Sequence, residues 1–134
     1  MALTHCCQLG LKKFDTLSGG HIINISSMSG HRVPPSGGFY AATKFAVRAV
    51  TEAFRFELKS QNNKTRVSMI SPGFVDTPLL DKYFKKNEDE LKKLRADLKM
   101  LEPNDIAETL KFILKTPNNV EIGDILLKPR DQKT

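Results

Sequence analysis

Short apolar runs that alternate with amphipathic stretches constrain the fold of this chain more than any other feature. The runs at residues 21–25 (HIINI) and 66–70 (RVSMI) are each bounded by residues that interrupt regular structure. Runs of this length and composition are typical of buried strands. Residues 2–14 and 39–59, which precede the two runs, carry apolar side chains at helical spacing. The first half of the chain is therefore predicted to run helix, strand, helix, strand.

The helix predicted at residues 39–59 has the strongest pattern in the chain. Its apolar stripe consists of Phe45, Ala46, Ala49, Val50, Ala53, Phe54 and Leu58. The polar side chains of Glu52, Arg55 and Lys59 lie off this stripe. The pattern predicts a helix that buries one face against the sheet.

Two more helices and a strand are predicted in the second half. An apolar repeat at nearly heptad spacing predicts one charged helix, and its members are Leu91, Leu94, Leu98 and Leu101. Pro103 suits the first turn of the next helix, whose stripe is Ile106, Leu110, Ile113 and Leu114. Residues 122–128 are predicted as a last strand, residues 26–38 as loop, and residues 74–87 as loop or a short helix.

This order of elements indicates the fold class. Strands that alternate with helices favour a parallel sheet joined by right-handed crossovers. The 134 residues leave room for about three strands with flanking helices. We therefore predict an α/β fold with a small, open parallel sheet.

The composition excludes several classes of protein. With 40% hydrophobic and 27% charged residues, the chain is too apolar for a disordered protein. No apolar run approaches the roughly 20 residues of a membrane helix, and residues 1–7 show no secretory signal. The adjacent Cys6 and Cys7 are poorly placed for a disulfide or a zinc site. We therefore expect a cytoplasmic protein without a membrane span.

The positive charge of the chain permits an anionic partner but does not require one. The formal net charge is +6, from 21 Lys and Arg against 15 Asp and Glu. The densest charge, at residues 81–99, mixes both signs, which is typical of a solvated helix surface. No motif that reads nucleic acid accompanies it. We expect no nucleic-acid partner, and a basic binding module stays as a lesser hypothesis.

Tyr40, Lys44 and Ser27 are the candidate catalytic residues. Tyr40 and Lys44 are four residues apart on the strongest predicted helix, so their side chains share one face. Ser27 follows the first predicted strand, and residues 71–73 (SPG) follow the second. In parallel α/β sheets, ligands bind at the carboxyl ends of the strands. We therefore expect these side chains to meet at one edge of the sheet.

A phenol, an ammonium and a hydroxyl can together move a proton to and from a substrate oxygen. A nearby ammonium lowers the pKa of a phenol, which is ordinarily about 10. Such a phenol can protonate a carbonyl oxygen or accept the proton of an alcohol, and a hydroxyl can hydrogen-bond the same oxygen. Because no side chain supplies a hydride, this chemistry needs a redox cofactor.

The spacing of these residues matches a known signature. Ser27, thirteen residues before Tyr40, and the run at residues 40–44 (YAATK) resemble the Ser…Tyr-x-x-x-Lys signature of the short-chain dehydrogenases/reductases. Residues 20–27 (GHIINISS) resemble the fifth strand of that family, and residues 70–77 (ISPGFVDT) resemble its sixth strand and nicotinamide loop.

The resemblance extends to both sides of this signature. Residues 103–107 (PNDIA) resemble the start of a late helix of the family, and residues 122–124 (IGD) resemble its last strand. Residues 28–33 (MSGHRV) are similar to the farnesol-dehydrogenase-like branch. The resemblance runs from about Ala2 to the C-terminal tail.

The resemblance implies a role for each candidate residue. Tyr40 would be the general acid/base, Lys44 would activate it and hold the nicotinamide ribose, and Ser27 would orient the substrate oxygen. The other implied cofactor contacts are Pro72, Gly73, Val75 and Thr77. The resemblance also implies NADP or NAD as cofactor, a Rossmann-like doubly wound sheet and, in full-length members, a homo-oligomer. The three histidines have no metal-ligand spacing and are interpreted as structural.

Several marks of the family are missing from the sequence. The eight glycines contain no G-x-G-x-x-G spacing, and no Asn-Asn-Ala-Gly stretch is present, so a glycine-rich phosphate cradle is not found. The family's catalytic Asn would align upstream of Met1. We therefore expect residues 1–134 to form a single, incomplete Rossmann-like catalytic domain whose N-terminal βαβ half is absent.

Two main hypotheses for function follow. The first is an NAD(P)(H)-dependent oxidoreductase that interconverts an alcohol and a carbonyl. The second is a truncated, non-catalytic paralogue or isoform that cannot bind the dinucleotide. Such a chain would act by pairing with a full-length relative through the helices at residues 2–14 and 40–58.

The resemblance also implies that residues 32–39 and 78–101 line the substrate pocket. Their apolar side chains predict a small apolar substrate. The side chains on which this rests are Val33, Phe39, Leu79, Leu80, Tyr83 and Phe84.

Overall fold

The computed structural model describes residues 2–14, 19–35, 37–85 and 87–133. Five helices and three strands alternate along these residues, with one 3-10 turn at Met28–Gly30. The helices are α1 (Ala2–Phe14), α2 (Gly38–Ser60), α3 (Pro78–Tyr83), α4 (Glu88–Asp97) and α5 (Pro103–Lys115), and the strands are β1 (His21–Ile25), β2 (Arg66–Pro72) and β3 (Asp124–Leu127). None of the described helices combines the length and the apolar character that a bilayer crossing needs.

The three strands form one parallel sheet in the order β1-β2-β3. The register runs from His21 opposite Arg66 in the first pair, and from Met69 opposite Asp124 in the second. Every residue of β2 after Arg66 is buried, because the strand has a partner on each edge and the helices α2 and α5 pack against it. The predicted α/β fold with a small parallel sheet is confirmed.

The predicted helix through Leu101 is wrong in its last turn. α4 ends at Asp97, and Leu98 takes an extended backbone with φ −133° and ψ 118°. Leu101 instead pairs with the loop after β2: its N–H donates to the Phe74 carbonyl at 3.0 Å. Pro103 opens α5 and disfavours helical backbone at Glu102, which is extended. The leucine repeat is therefore split: Leu91 and Leu94 lie in α4, whereas Leu98 and Leu101 lie in extended backbone.

Two strand ends and one loop also differ from the prediction. β2 continues through Pro72, because the next residue, Gly73, donates its N–H to the Leu127 carbonyl at 2.7 Å. β3 is shorter than residues 122–128, since its pairing with β2 covers only Asp124–Leu127. The loop at residues 26–38 contains the 3-10 turn, which Ser27 caps by accepting the Ser29 N–H.

Arg55 ties α2 to the middle and edge of the sheet. Although it lies off the apolar stripe of α2, it is buried. Its Nε donates to the Val67 carbonyl at 3.0 Å and its Nη2 to the Gly123 carbonyl at 2.8 Å. Its Nη1 pairs with Glu52 at 2.6 Å. A charged side chain is stable here because each of these contacts replaces water.

A polar chain of contacts joins α1 to the sheet and to α2. The Cys7 thiol donates to Asn24 Oδ1 at 3.6 Å, and Asn24 Nδ2 donates to Thr51 Oγ1 at 2.9 Å. Both cysteines are free thiols, Cys7 buried and Cys6 exposed. Burial raises the pKa of Cys7, the contact with Asn24 opposing it, so Cys7 is an uncharged core residue at neutral pH.

Glu121 should make the stability of the fold depend on pH. Burial works to raise the pKa of Glu121, but the Val67 N–H, Lys59 and Arg55 together lower it. The carboxylate accepts from the Val67 N–H at 2.9 Å and pairs with Lys59 at 2.9 Å. Because the pKa is lower in the folded than in the unfolded chain, Glu121 stabilises the fold above its unfolded pKa. This stabilisation is lost as the pH falls through the folded pKa.

Replacing Glu121 by glutamine tests this dependence. Urea unfolding across acidic and neutral pH should show a loss of about 1 kcal/mol at neutral pH. The difference between the variant and the parent should shrink as the pH falls, because the parent carboxylate becomes protonated. A difference that stays constant down to the acid limit of the fold would contradict the assignment.

Candidate active site

A cavity of about 810 Å³ opens at the carboxyl ends of β1 and β2. This edge is where ligands bind in parallel α/β sheets. All seven predicted site residues line the cavity: Ser27, Tyr40, Lys44, Pro72, Gly73, Val75 and Thr77. The structure therefore brings together side chains that lie up to fifty positions apart in the sequence.

Ser27 is fixed at the junction of the two central strands. It takes an extended backbone after β1 and caps the 3-10 turn, so that its Oγ accepts the Ser29 N–H at 3.1 Å. The hydroxyl donates to the Pro72 carbonyl at 3.4 Å. The hydroxyl is thus oriented by backbone groups of both loops that border the cavity.

Tyr40 and Lys44 lie on one face of the first turns of α2. The Lys44 Nζ is 5.7 Å from the centre of the Tyr40 ring and donates to the Ile25 carbonyl at 3.3 Å. Burial lowers the pKa of Lys44. The contact with the end of β1 holds the ammonium beside the phenol, within the range of a cation–π interaction.

The loop after β2 forms a second wall of the cavity. Gly73 approaches another segment so closely that a Cβ would lie 2.4 Å from the Gln132 Oε1. Val75 pairs with Leu101 in an isolated parallel bridge. Thr77 takes extended backbone immediately before α3. These contacts fix the backbone of residues 72–77.

The far wall of the cavity is apolar. Leu80 and Phe84 belong to a buried cluster with Leu91, against which Phe74 packs. Four of the six predicted pocket side chains line the cavity: Leu79, Leu80, Tyr83 and Phe84. The other two, Val33 and Phe39, are 64% and 88% exposed and are not among its lining residues. Their loop instead contributes Pro34 and Pro35.

Tyr83 is the aromatic neighbour of the candidate acid/base. Its ring meets the Tyr40 ring edge to face, with centres 5.6 Å apart, and packs similarly on Phe84 at 5.1 Å. Burial raises the pKa of Tyr83, and the charges of Tyr40 and Glu90 add to the effect. Tyr83 is therefore an uncharged wall residue at neutral pH.

The histidines for which the structure gives contacts are structural. His31 Nε2 lies 2.8 Å from an Asp124 carboxylate oxygen and 3.1 Å from Ser71 Oγ, while Ser71 Oγ donates to Asp124 at 2.8 Å. His21 Nε2 lies 2.7 Å from Ser68 Oγ, and burial lowers its pKa. In the described ranges, no group of three or more His, Cys, Asp or Glu is arranged to hold a metal.

Sequence reasoning missed Gln132, which also lines the cavity, whereas Arg32, another lining residue, begins the segment at residues 32–39 expected there. Gln132 accepts the Phe74 N–H at 3.0 Å, and Arg32 donates to the Lys133 carbonyl at 3.3 Å. Gln132 lies in a segment that reads as a polar tail, and no periodic pattern marks it. The one sequence feature that could have pointed to this contact is Gly73, because a residue without a side chain lets another segment approach closely.

The residues that line the cavity can support proton transfer. A phenol, an ammonium and an oriented hydroxyl line one cavity whose far wall is apolar. A phenol placed in this way can exchange a proton with a substrate oxygen, and the hydroxyl can hydrogen-bond the same atom.

Comparison with known proteins shows which family this chain resembles. The family model for short chain dehydrogenases matches residues 1–88. Dehydrogenase/reductase SDR family member 11 of Bos taurus is 45% identical over 86% of this chain and 46% of its own length. Farnesol dehydrogenase of Aedes aegypti is 33% identical over 99% of this chain and 52% of its own.

A solved structure has the same arrangement of helices and strands. Serine dehydrogenase in its closed form, complexed with NADP+, superposes with a TM-score of 0.85 and 29% identity, covering 96% of this chain and 51% of that one. The chain thus spans about half the length of the relatives that it matches. The matched family model, the identities and the shared fold show that this chain belongs to the short-chain dehydrogenase family.

Proposed function

We propose that this chain carries the catalytic part of an NAD(P)(H)-dependent oxidoreductase that interconverts an alcohol and a carbonyl on a small apolar molecule. The observation that carries the proposal is that Tyr40, Lys44 and Ser27 line the same cavity. In this proposal residues 1–134 form one incomplete Rossmann-like domain, and the protein is cytoplasmic.

Each of the three residues has one task in the reaction. Tyr40 donates a proton to the carbonyl oxygen in reduction and removes the hydroxyl proton in oxidation. Ser27, whose oxygen accepts the Ser29 N–H, turns its hydroxyl proton from the Pro72 carbonyl to the same substrate oxygen as charge develops on it. Lys44 holds its ammonium 5.7 Å from the centre of the Tyr40 ring, where a cation is attracted to the ring face.

The described residues fit the nicotinamide end of a dinucleotide. Lys44 offers a half-buried ammonium for ribose hydroxyls, and Pro72, Gly73, Val75 and Thr77 form a fixed wall of backbone groups. When bound, the dinucleotide supplies or accepts a hydride. Two solved relatives are complexed with NADP+ and with NADH, which supports either coenzyme here.

The phosphate end of the coenzyme has no matching residues in this sequence. No G-x-G-x-x-G spacing occurs among the glycines, so a helix N-terminus of that type is not available to the pyrophosphate. We therefore infer that this chain recognises mainly the nicotinamide and its ribose. The retained catalytic residue types favour the enzyme over a non-catalytic paralogue.

An apolar substrate fits the far wall of the cavity, where Leu80, Tyr83 and Phe84 are exposed to it. In the adjoining segment at residues 81–99, Arg95 pairs with Asp76 and Asp81 at 3.0 Å each, and Lys92 pairs with Asp89 at 3.6 Å. This pairing argues against a nucleic-acid partner.

A homo-oligomer is part of the same proposal. A groove of about 510 Å³ lies between α1 and α2, and Leu9 and Phe56 on these helices are exposed. Apolar side chains on adjoining helices favour pairing with a second copy.

Hydride transfer by the chain tests the proposed function. With an apolar ketone, the chain should oxidise NADPH and reduced nicotinamide mononucleotide with similar half-saturation, both at about millimolar concentration, because only the nicotinamide half is bound. The measurement is the loss of absorbance of the reduced nicotinamide. No oxidation above that of a protein-free control would contradict the function. Saturation by NADPH at micromolar concentration would leave the proposed function in place and would contradict only the inference that the chain binds mainly the nicotinamide and its ribose.

A further inference from the structure

Gln132 is a buried polar residue between two exposed neighbours. Only 7% of its surface is exposed, whereas Asp131 and Lys133 face solvent. Its Oε1 accepts the Phe74 N–H at 3.0 Å, and its Nε2 lies 4.0 Å from the Met28 sulfur. One amide therefore contacts both loops that border the candidate active site.

The segment that carries Gln132 is held by contacts of its own. The Gln132 N–H donates to the Pro129 carbonyl at 3.1 Å, which closes a turn. Lys128 Nζ donates to the Gln132 carbonyl at 3.2 Å, and Arg32 donates to the Lys133 carbonyl at 3.3 Å. The turn presents the Gln132 side chain inward, so a change of that side chain leaves these backbone anchors in place.

The receiving loop is shaped for this side chain. A Cβ on Gly73 would lie 2.4 Å from the Gln132 Oε1 and 2.8 Å from the Lys128 Cβ. Glycine is therefore required for the segment to pack here. Gly73, Phe74, Met28 and Gln132 all line the same cavity, so this contact forms part of its wall.

We propose that Gln132 is a positioning residue of the candidate site. By accepting the Phe74 N–H, it fixes the backbone of Pro72 and Gly73, and by contacting Met28 it fixes the turn that follows Ser27. A buried N–H without its acceptor is unfavourable, so this loop moves when the Gln132 oxygen is removed. The assignment of the nicotinamide as the group that this loop binds rests on the proposed function.

Three variants separate the hydrogen bond from the packing. Gln132→Met keeps the length of the side chain and removes the acceptor, while Gln132→Glu keeps an oxygen acceptor. Asp131→Ala is the matched control, because Asp131 is exposed and its ion pair is with Arg130. Amide hydrogen exchange at Phe74, measured by NMR, should be about fivefold faster in Gln132→Met. It should be near the parent rate in Gln132→Glu and unchanged in Asp131→Ala.

A second measurement tests whether the loss of the Gln132 hydrogen bond weakens nucleotide binding at the candidate site. Fluorescence titration with reduced nicotinamide mononucleotide should show binding about fivefold weaker in Gln132→Met and restored in Gln132→Glu. Unchanged Phe74 exchange in Gln132→Met would overturn the proposal. So would faster exchange with no weakening of binding, since Gln132 would then be only structural. If no variant, nor the parent, binds the nucleotide, the proposed function fails, and the exchange rates alone decide whether Gln132 positions the loop.

Discussion

Replacing Tyr40 by phenylalanine should lower the rate of hydride transfer by about 10²- to 10⁴-fold, the range that a general acid/base contributes. The change removes the phenol oxygen and keeps the ring, which packs against Tyr83 with centres 5.6 Å apart. Binding of reduced nicotinamide mononucleotide should therefore remain near that of the parent. Initial rates with an apolar ketone and direct titration of the nucleotide measure the two effects separately.

Tyr83→Phe is the matched control for this experiment. Tyr83 lines the same cavity and loses the same atom, but its ring packs on Phe84 in the apolar wall. Its loss should cost less than about tenfold, because the ring supplies apolar contact rather than a proton. Turnover retained in Tyr40→Phe, or an equal loss in both variants, would refute Tyr40 as the acid/base.

Replacing Arg55 by methionine should destabilise the fold by about 3 kcal/mol. Methionine keeps most of the apolar stem. It leaves the Val67 and Gly123 carbonyls without the guanidinium that donates to them at 3.0 and 2.8 Å. It also leaves Glu52 without its partner. The free energy of unfolding in urea measures the loss.

Arg48→Met on the same helix is the control for Arg55. Arg48 is exposed, so its replacement should change the free energy of unfolding by less than about 0.5 kcal/mol. An equal effect of both variants would mean that Arg55 stabilises the protein only through the helix propensity of its side chain, and not through the carbonyls that it joins.

The order of elements and the parallel sheet could be predicted because they depend on local periodicity. The run at residues 66–70 is apolar since β2 has a strand on each edge, and the stripe of α2 records the face that it buries. The same reasoning failed at Leu98 and Leu101, which continue an apolar repeat in extended backbone. Spacing alone does not distinguish a buried helix face from a buried extended segment.

The residue types of the candidate site could also be predicted, because a spaced signature joins Ser27 to Tyr40 and Lys44. One buried residue of the fold and one residue of the site's wall could not be predicted. In the fold, Arg55 lies off an apolar stripe and is nevertheless buried. In the wall of the site, Gln132 contacts Phe74, which is 58 positions away in the sequence. A local pattern cannot predict a contact between residues so far apart.

By itself, the sequence determined which segments become helices and strands, and which chemical groups stand at the ends of the strands. Only the tertiary structure decided that those groups share one cavity, that Val33 and Phe39 stay outside it, and that Gln132 closes its wall. The physical reason is the range of the interactions. Backbone propensity and periodic burial act within a few residues, whereas a cavity is formed by segments that meet only after the sheet has assembled.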